Sequence, residues 1–261
     1  MEISNTEGKV ALVTGAAQGI GEAVVKALSN LNFTVVAIDN NVDQLNKLVD
    51  ELKSYSLNVT SFVADVSDSL VIQRMTDKIE EEIGPIEVLI NVAGILKIGS
   101  IDSLSDEDWH KTFAVNSTGV FNVSRAVSKY MINRKKGCIV TVSSNSASVP
   151  RMGMAAYAAS KAAATMFTKC LGLELAPFNI RCNLVSPGST NTAMQWALWD
   201  NDNGEQAVIK GSLETYKVGI PLQKIATTND IANAVLFLIS DQASHITMND
   251  LHVDGGATLG V

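Results

Sequence analysis

The chain has 261 residues, a formal net charge of −7 and no long run of lysine or arginine. This balance argues against nucleic acid or an anionic membrane as the main partner. Hydrophobic residues make up 46% and charged residues 18%, a mixture that can bury a substantial core. No stretch reaches the ~18 to 20 apolar residues of a membrane span. Segment 1–9 is too polar for a secretory signal, so we expect a cytoplasmic protein.

Three cysteines, Cys138, Cys170 and Cys182, lie in apolar stretches without CxxC or histidine-rich spacing. An odd number of widely spaced cysteines is not the pattern of a disulfide framework or of a zinc site. We therefore expect buried, reduced thiols and no bound metal.

Short apolar runs alternate along the chain with longer segments of helical period, which is the pattern of a parallel sheet with crossover helices. The predicted strands are 10–13, 33–38, 59–63, 88–91, 138–142, 180–185 and 250–253. No linker composition or internal repeat interrupts them. The sequence therefore predicts one α/β domain over residues 1–261, with a Rossmann-type, doubly wound parallel sheet of about seven strands.

Helical period fills the intervals between these strands. A helix through Ala23, Val24 and Leu28 follows a glycine turn, and Ser67 is the expected N-cap of a later helix. That later helix carries apolar residues on one face: Ile72, Met75, Ile79 and Ile83. Further helices are predicted at 42–52, 105–134, 154–175 and 231–239. Segment 190–217 breaks the rhythm and is predicted to form a lid over a substrate site.

The first strand runs into a glycine-rich turn, and a helix follows it. Glycines let the backbone turn tightly and approach a pyrophosphate, while the helix directs its first N–H groups and its positive dipole end toward it. Such a turn can also serve packing alone. Its place in the first βαβ unit favours dinucleotide binding. The predicted contacts are Gly15, Gln18, Gly19, Ile20 and Gly21.

Asp39 ends the second predicted strand, about 20 residues after Gly19. A carboxylate there can accept hydrogen bonds from the adenosine ribose and would repel a 2′-phosphate, and the glycine turn holds no arginine. The alternative is a solvated strand end. We predict NAD rather than NADP as the cofactor. Asp65 and Val66, after the third strand, are placed to meet the adenine edge.

Tyr157 and Lys161 are separated by one helical turn and so share a face of their predicted helix. A free tyrosine has a pKa of about 10 and is a poor base at neutral pH. A nearby ammonium, together with the positive nicotinamide ring, favours the phenolate and would make Tyr157 a general base for an alcohol. Taken alone, the pair could be an ordinary helix surface.

The chain resembles the short-chain dehydrogenase/reductase family from residue 8 to its end. Besides the glycine turn and the Tyr157 to Lys161 spacing, the family's features appear in their usual order, although Val92 stands where a second asparagine is more usual. These further positions are Asn91, Ala93, Gly94, Asn116, Ser144, Pro187 and Gly188.

The resemblance implies a role for each matching residue. Tyr157 would exchange the proton and Ser144 would hold the substrate oxygen. Lys161 would bind the nicotinamide ribose and lower the Tyr157 pKa, and Asn116 would hold a water of a proton relay. The residues implied to contact the cofactor are Asn91, Ala93, Gly94, Tyr157, Lys161, Pro187, Gly188, Thr190 and Thr192. The resemblance also implies that the helix with Tyr157 and the one before it form a dimer interface within a homotetramer.

Four stretches, 91–97, 150–157, 186–199 and 244–260, resemble one group within the family more specifically. Members of that group use NAD to oxidise the C3 hydroxyl of a benzoate dihydrodiol, and the ketone formed tautomerises to the catechol 2,3-dihydroxybenzoate. The resemblance implies this small carboxylate diol as the substrate and a place in the synthesis of catechol siderophores such as bacillibactin or enterobactin.

An anionic substrate in an acidic protein needs a local cation. Arg151, six residues before Tyr157, has a planar guanidinium that suits a carboxylate. Lys97 is a second candidate, and either residue could instead be a surface charge. In the predicted lid, Met194, Gln195, Trp196 and Trp199 could wall the substrate, pack internally or contact another subunit. His245 and His252 are isolated, so we expect structural roles.

Two alternatives remain. The chain could be a related reductase, for example of 3-oxoacyl carriers, although most of these use NADP and Asp39 argues against that cofactor. It could also be a nucleotide-sensing regulator that has kept the fold without the chemistry. A sensor would not need the intact set of Tyr157, Lys161, Ser144 and Asn116.

Overall fold

A computed structural model describes residues 6–199 and 204–261. Residues 1–5 of the polar N-terminal segment and 200–203 of the predicted lid lie outside the described residues. Seven parallel strands form one sheet in the order β3-β2-β1-β4-β5-β6-β7. The strands are β1 (Val10–Thr14), β2 (Thr34–Asp39), β3 (Val59–Val63), β4 (Ile86–Asn91), β5 (Gly137–Val142), β6 (Ile180–Pro187) and β7 (Asp250–Val253).

The order of the strands reverses at β1, which pairs with β2 on one side and with β4 on the other. In such sheets ligands bind at the carboxyl ends of the strands, beside this switch point. The Thr14 hydroxyl joins the two strand ends there, because its Oγ1 accepts the backbone N–H groups of Val92 (3.1 Å) and Ala93 (3.2 Å). The predicted parallel sheet is confirmed.

Helices cover both faces of the sheet. They are α1 (Gly19–Ser29), α2 (Val42–Ser54), α3 (Ser69–Glu82), α4 (Asp106–Phe113), α5 (Val120–Arg134), α6 (Ala155–Leu175), α7 (Ala193–Trp196), α8 (Gly204–Lys210) and α9 (Thr228–Ile239). The predicted run 105–134 is helical throughout, but its middle, Ala114–Gly119, is a wider π-helix between α4 and α5. In the described part of 190–217 only α7 and α8 are helical.

The expected N-cap of α3 was wrong by one residue. Asp68 caps the helix, and its carboxylate accepts the N–H groups of Leu70 and Val71. Ser67 lies one residue before the cap position, and its hydroxyl donates to the Asp65 carboxylate at 2.7 Å. Both residue types favour this position, so the local hydrogen-bond network decides between them.

Two apolar layers enclose the sheet. One lies under α1, α2 and α9 and includes Val24, Leu28 and Ile231. The other lies under α3 and α5 and includes Ile72, Ile79 and Met131. The residues of β1, β4, β5 and β6 between the layers are mostly buried, as expected for a parallel sheet covered on both faces, whereas those of the edge strands β3 and β7 are mostly only partly buried.

The prediction of buried thiols holds for Cys138 and Cys182 but is wrong for Cys170, which is exposed. Cys170 shares the outer face of α6 with the exposed residues Met166 and Leu173, so an apolar surrounding in sequence did not mean a buried one in space. Within the described ranges, no helix combines the length and apolar character that crossing a bilayer requires.

Candidate active site

The glycine turn between β1 and α1 packs too closely against protein backbone for a side chain at two of its glycines. Gly15 has a φ of +64°, and a Cβ there would lie 2.6 Å from the Cα of Ala93. A Cβ at Gly21 would overlap the carbonyl oxygen of Gly15. The N-cap residue Gln18 makes no side-chain cap, so α1 presents its first N–H groups without a side-chain partner. These features fit a pyrophosphate at the start of α1.

Asp39 lies directly beside this turn. One oxygen of its carboxylate accepts the Ala17 N–H at 3.0 Å, and the other accepts the Asn41 N–H at 2.9 Å. The carboxylate thus ties the end of β2 to the glycine turn. A negative charge is held beside the place where an adenosine ribose would lie in a nucleotide bound at this turn.

The remaining predicted cofactor residues follow β3 and β4 along the same edge. Asp65 is exposed, and Val66 is buried with its carbonyl oxygen accepting from Asn122 Nδ2 at 3.0 Å. Asn91 donates to Ser124 Oγ at 3.0 Å, while its buried Oδ1 has no partner among the described residues.

A cavity of about 470 Å³ opens at the carboxyl ends of β4, β5 and β6. It brings together residues that are far apart in sequence. The predicted site residues in its wall are Ile20, Gly94, Ser144, Arg151, Tyr157, Lys161, Pro187, Gly188, Thr190 and Thr192. Ser144 follows β5, and Tyr157 and Lys161 lie on α6, so elements packed on one sheet edge position all three.

Lys161 is the most deeply placed cation of this cavity. Its side chain is buried, and its Nζ donates to the Val142 carbonyl oxygen at 2.9 Å. The ammonium lies 5.9 Å from the centroid of the Tyr157 ring. Burial lowers the pKa of Lys161 from 10.5 to about 8, because a low-polarity surrounding disfavours the charged form.

Tyr157 differs from its expectation in one respect. Burial raises the pKa of its phenol above 10.0, and a hydrogen bond with Ser144 opposes that rise. The resemblance implies that Lys161 lowers the pKa of Tyr157. This lowering does not appear in the structure, because desolvation of the phenolate dominates. The phenol and the Ser144 hydroxyl are nevertheless neighbours, as a pair that holds one oxygen of an alcohol must be.

Asn116 lies in the π-helical turn and is fully buried. Its Oδ1 accepts the Ile95 N–H at 2.8 Å, and its Nδ2 donates to the Ile95 carbonyl oxygen at 2.9 Å and to Ser160 Oγ at 3.0 Å. Asn116 therefore joins the segment after β4 to α6. The implied water relay stays a prediction.

The two candidate cations for a carboxylate separate in the structure. Arg151 is half-buried and lines the cavity. Lys97 instead pairs with Asp108, Nζ to Oδ1 3.2 Å, and lies outside the cavity wall. A residue that the sequence reasoning missed, Lys217, lines the cavity with Arg151. Lys217 is far from Arg151 along the chain, so the sequence does not indicate that the two line one cavity. The only signal for a site role of Lys217 was its place at the end of the predicted lid.

Some of the residues singled out in the predicted lid line the cavity and one does not. Met194, Gln195 and Trp199 line the cavity. Trp196 does not: its indole is 51% exposed and donates to Asn191 Oδ1 at 2.7 Å. The Nε2 atom of His252 is buried without a partner in the part of the chain that the structure describes.

Comparison with known proteins agrees with this geometry. A model of the short chain dehydrogenase family matches residues 9–203. A crystal structure of a gluconate 5-dehydrogenase from Burkholderia cenocepacia J2315, in complex with NADP and tartrate, superposes with a TM-score of 0.90 at 30% identity, covering 98% of this chain and 97% of that one. The chain therefore belongs to the short-chain dehydrogenase family, a class of oxidoreductases.

Within that class the chain is similar to particular enzymes. It is 62% identical over the full length of both chains to the 2,3-dihydro-2,3-dihydroxybenzoate dehydrogenase of Bacillus subtilis (strain 168). It is 44% identical to the protein of the same name from Escherichia coli (strain K12), covering 97% of this chain and 98% of the relative.

Proposed function

We propose that this protein oxidises 2,3-dihydro-2,3-dihydroxybenzoate to 2,3-dihydroxybenzoate with NAD, in the synthesis of a catechol siderophore of the bacillibactin or enterobactin type. One observation carries the proposal: Tyr157, Ser144 and Lys161 line the same cavity as the half-buried guanidinium of Arg151. A hydroxyl-activating group and a carboxylate-binding group are what such a substrate needs. The 62% identity to the Bacillus subtilis enzyme supports the choice of substrate.

In this proposal the C3 hydroxyl of the diol lies between Tyr157 and Ser144. Ser144 donates a hydrogen bond to the substrate oxygen, and the Tyr157 phenolate accepts its proton. When bound, the dinucleotide supplies the acceptor for the hydride that leaves C3. The resulting ketone tautomerises to the aromatic catechol, and aromatisation draws the reaction forward.

Because burial raises the Tyr157 pKa, the phenolate requires a nearby positive charge to form near neutral pH. The ammonium of Lys161 is 5.9 Å from the ring centroid and supplies it. Low polarity strengthens this attraction, since charges interact more strongly where water is excluded. Desolvation and attraction thus act on the same phenol in opposite directions.

Asp39 supports NAD as the cofactor, because its carboxylate lies beside the glycine turn where a 2′-phosphate would bring a second negative charge. We predict that Asp39→Ser lowers kcat/KM for NAD and raises it for NADP, changing the ratio of the two by about tenfold or more. The measurement is steady-state kinetics with both cofactors. A ratio that does not change would remove Asp39 from cofactor selection.

The assay that tests the proposal follows NADH formation from NAD and the authentic dihydrodiol. Formation of NADH and 2,3-dihydroxybenzoate is the expected result. Consumption of NADPH with a 3-oxoacyl substrate, without oxidation of the diol, would favour the carrier reductase instead. Binding of NAD without turnover of any alcohol would indicate a nucleotide sensor.

We also propose a homotetramer, supported by the large apolar residues exposed on the outer faces of α5 and α6, among them Phe121, Met166 and Leu173. We further propose that the protein is located in the cytoplasm. The three cysteines carry free thiols, as is usual in a reducing compartment.

A further inference from the structure

Two cations share one wall of the active-site cavity. Arg151, in the loop before α6, and Lys217, from the far end of the lid segment, both line it. Burial lowers the pKa of Lys217 and the charge of Arg151 lowers it further, so the two cations act on each other although Lys217 remains exposed to solvent. Like charges repel, so a pair of them beside an active site lowers stability unless an anion joins them.

Neither cation has an ion pair with an acidic side chain within residues 6–199 and 204–261. Burial lowers the pKa of Arg151, and the charge of Asp254 raises it by a smaller amount. The Asp254 carboxylate is occupied locally, since it accepts from Thr258 Oγ1 at 2.7 Å and from the Gly256 N–H at 2.9 Å. Among the described residues, the cavity lining therefore holds cations and no acidic side chain, in a protein that is acidic overall.

The chain places Lys217 by a compact hairpin, residues 211–219. Ser212 and Lys217 exchange two backbone hydrogen bonds, each 2.9 Å long. Gly211 and Gly219 flank this pair with φ of +78° and +83°, and a Cβ at either one would overlap neighbouring backbone. Only glycine fits both positions without strain. The hairpin thus holds Lys217 at the cavity wall.

The indole of Trp199 is a third polar group in the cavity wall. The indole Nε1 of Trp199 is buried and has no hydrogen-bond partner among the described residues, and Trp199 lines the cavity. A buried donor without an acceptor is costly. A carboxylate supplies acceptor lone pairs and negative charge together.

We propose that Lys217 and Arg151 together bind the carboxylate of the substrate, with Lys217 as a specificity residue delivered by the hairpin 211–219. The inference rests on the proposed function for the identity of the ligand. It predicts that the cavity distinguishes an aromatic carboxylate from the same ring without its carboxylate.

The test is isothermal titration calorimetry of the protein loaded with NADH, using 2,3-dihydroxybenzoate and catechol as ligands. Wild type should bind the carboxylate more tightly. Lys217→Met should raise the Kd of 2,3-dihydroxybenzoate about tenfold and leave that of catechol unchanged. Lys217→Arg should retain most of the affinity, because it keeps the charge. The matched control is Lys210→Met, which removes a lysine of the same segment that lies outside the cavity wall.

Three results would overturn the inference: a wild type that does not distinguish the two ligands, a Lys217→Met that binds both as wild type does, or one that loses both equally. Steady-state kinetics separates this failure from that of the proposed function. Oxidation of the diol by Lys217→Met with an unchanged KM removes Lys217 but leaves the function standing. The opposite outcome is a protein that does not oxidise the diol but binds the carboxylate in a way that Lys217→Met abolishes. That outcome would support the inference and contradict the proposed function.

Discussion

The buried ammonium of Lys161 has both a catalytic and an energetic consequence. Among the residues that the structure describes, its Nζ donates one hydrogen bond, to the Val142 carbonyl oxygen. The fall of its pKa from 10.5 to about 8 means that the folded state binds this proton less firmly than the unfolded state does. A shift of that size corresponds to about 3 kcal/mol of lost stability at pH 7. The residue is retained at a cost to folding, as expected of a functional group.

We therefore expect Lys161→Met to stabilise the cofactor-free protein while abolishing activity. Loss of the hydrogen bond to Val142 offsets part of the gain, so the net increase at pH 7 should be about 1–2 kcal/mol. Urea unfolding measures it. Between pH 8 and 10.5 the folded lysine is neutral while the unfolded one is still charged, so wild type gains stability as pH rises through that window.

The advantage of Lys161→Met should accordingly shrink when unfolding is repeated at about pH 9.5. Leu70→Ala, an exposed apolar residue on α3, serves as a control that should show no such pH dependence. A Lys161→Met protein less stable than wild type at pH 7, or a difference independent of pH, would contradict this account of the buried charge.

Sequence reasoning at the residue scale identified Tyr157 and Lys161 from their spacing of one helical turn, whereas Ser144 and Asn116 came from the family resemblance. It missed Lys217 because only the fold brings this residue to the same cavity as Arg151, by a hairpin with two glycines in the left-handed region. It offered Lys97 as a cation for the same reason, because nothing in the spacing of Lys97 and Asp108 indicates that the two would pair.

The π-helix between α4 and α5 is the element that places Asn116. The Asn116 side chain forms hydrogen bonds with both backbone groups of Ile95, the N–H and the carbonyl oxygen, on the segment after β4. Gly94 lies beside them, and a Cβ there would be 3.3 Å from Lys161 Nζ. The Asn116 side chain in this widened turn thus joins the segment after β4 to α6, the helix that carries Lys161.

Asn116→Ala should leave both Ile95 backbone groups without partners and lower the free energy of unfolding by about 2–4 kcal/mol. Activity should fall as well, because the segment next to Lys161 loses its anchor. Ser105→Ala is the matched control: it removes the exposed N-cap of α4 from the same helical run and should cost about 1 kcal/mol without changing kcat. Chemical unfolding and steady-state kinetics check both variants, and equal losses of stability and activity in the two would refute the positioning role.

At the scale of elements, the seven strands could be predicted because each is a short apolar run between helical segments. The π-helix could not, since its residues have ordinary helical spacing and only the contact with Ile95 distinguishes it. The α3 cap was off by one for a similar reason: Ser67 and Asp68 are both good caps, and only the structure shows that the Asp68 carboxylate accepts the first N–H groups of the helix.

At the scale of the whole molecule, the outer faces of α5 and α6 remain apolar and exposed. Phe121 stacks edge-on with Phe167 at 5.8 Å, and Met166 and Leu173 are 60% and 67% exposed. A patch of this kind commonly marks an interface. Assembly cannot be derived from the alternation of strands and helices, because that pattern specifies the core and leaves the outer faces of the helices undetermined.

We predict that Met166→Glu with Leu173→Glu reduces the mass of the particle in light scattering by half or more, since two charges would be buried at the interface. Leu70→Glu is the matched control: it places a charge on an equally exposed apolar residue of α3, 68% exposed, and should leave the mass unchanged. An unchanged mass in the double variant would exclude this face as the interface.

The whole account depends on one phenol acting as the base for an alcohol. The most direct test is the rate of NADH formation from NAD and the dihydrodiol with Tyr157→Phe, which removes a single hydroxyl group. We predict a fall in kcat of about 10²–10⁴-fold with NAD binding retained. Turnover by Tyr157→Phe close to that of wild type would contradict the mechanism.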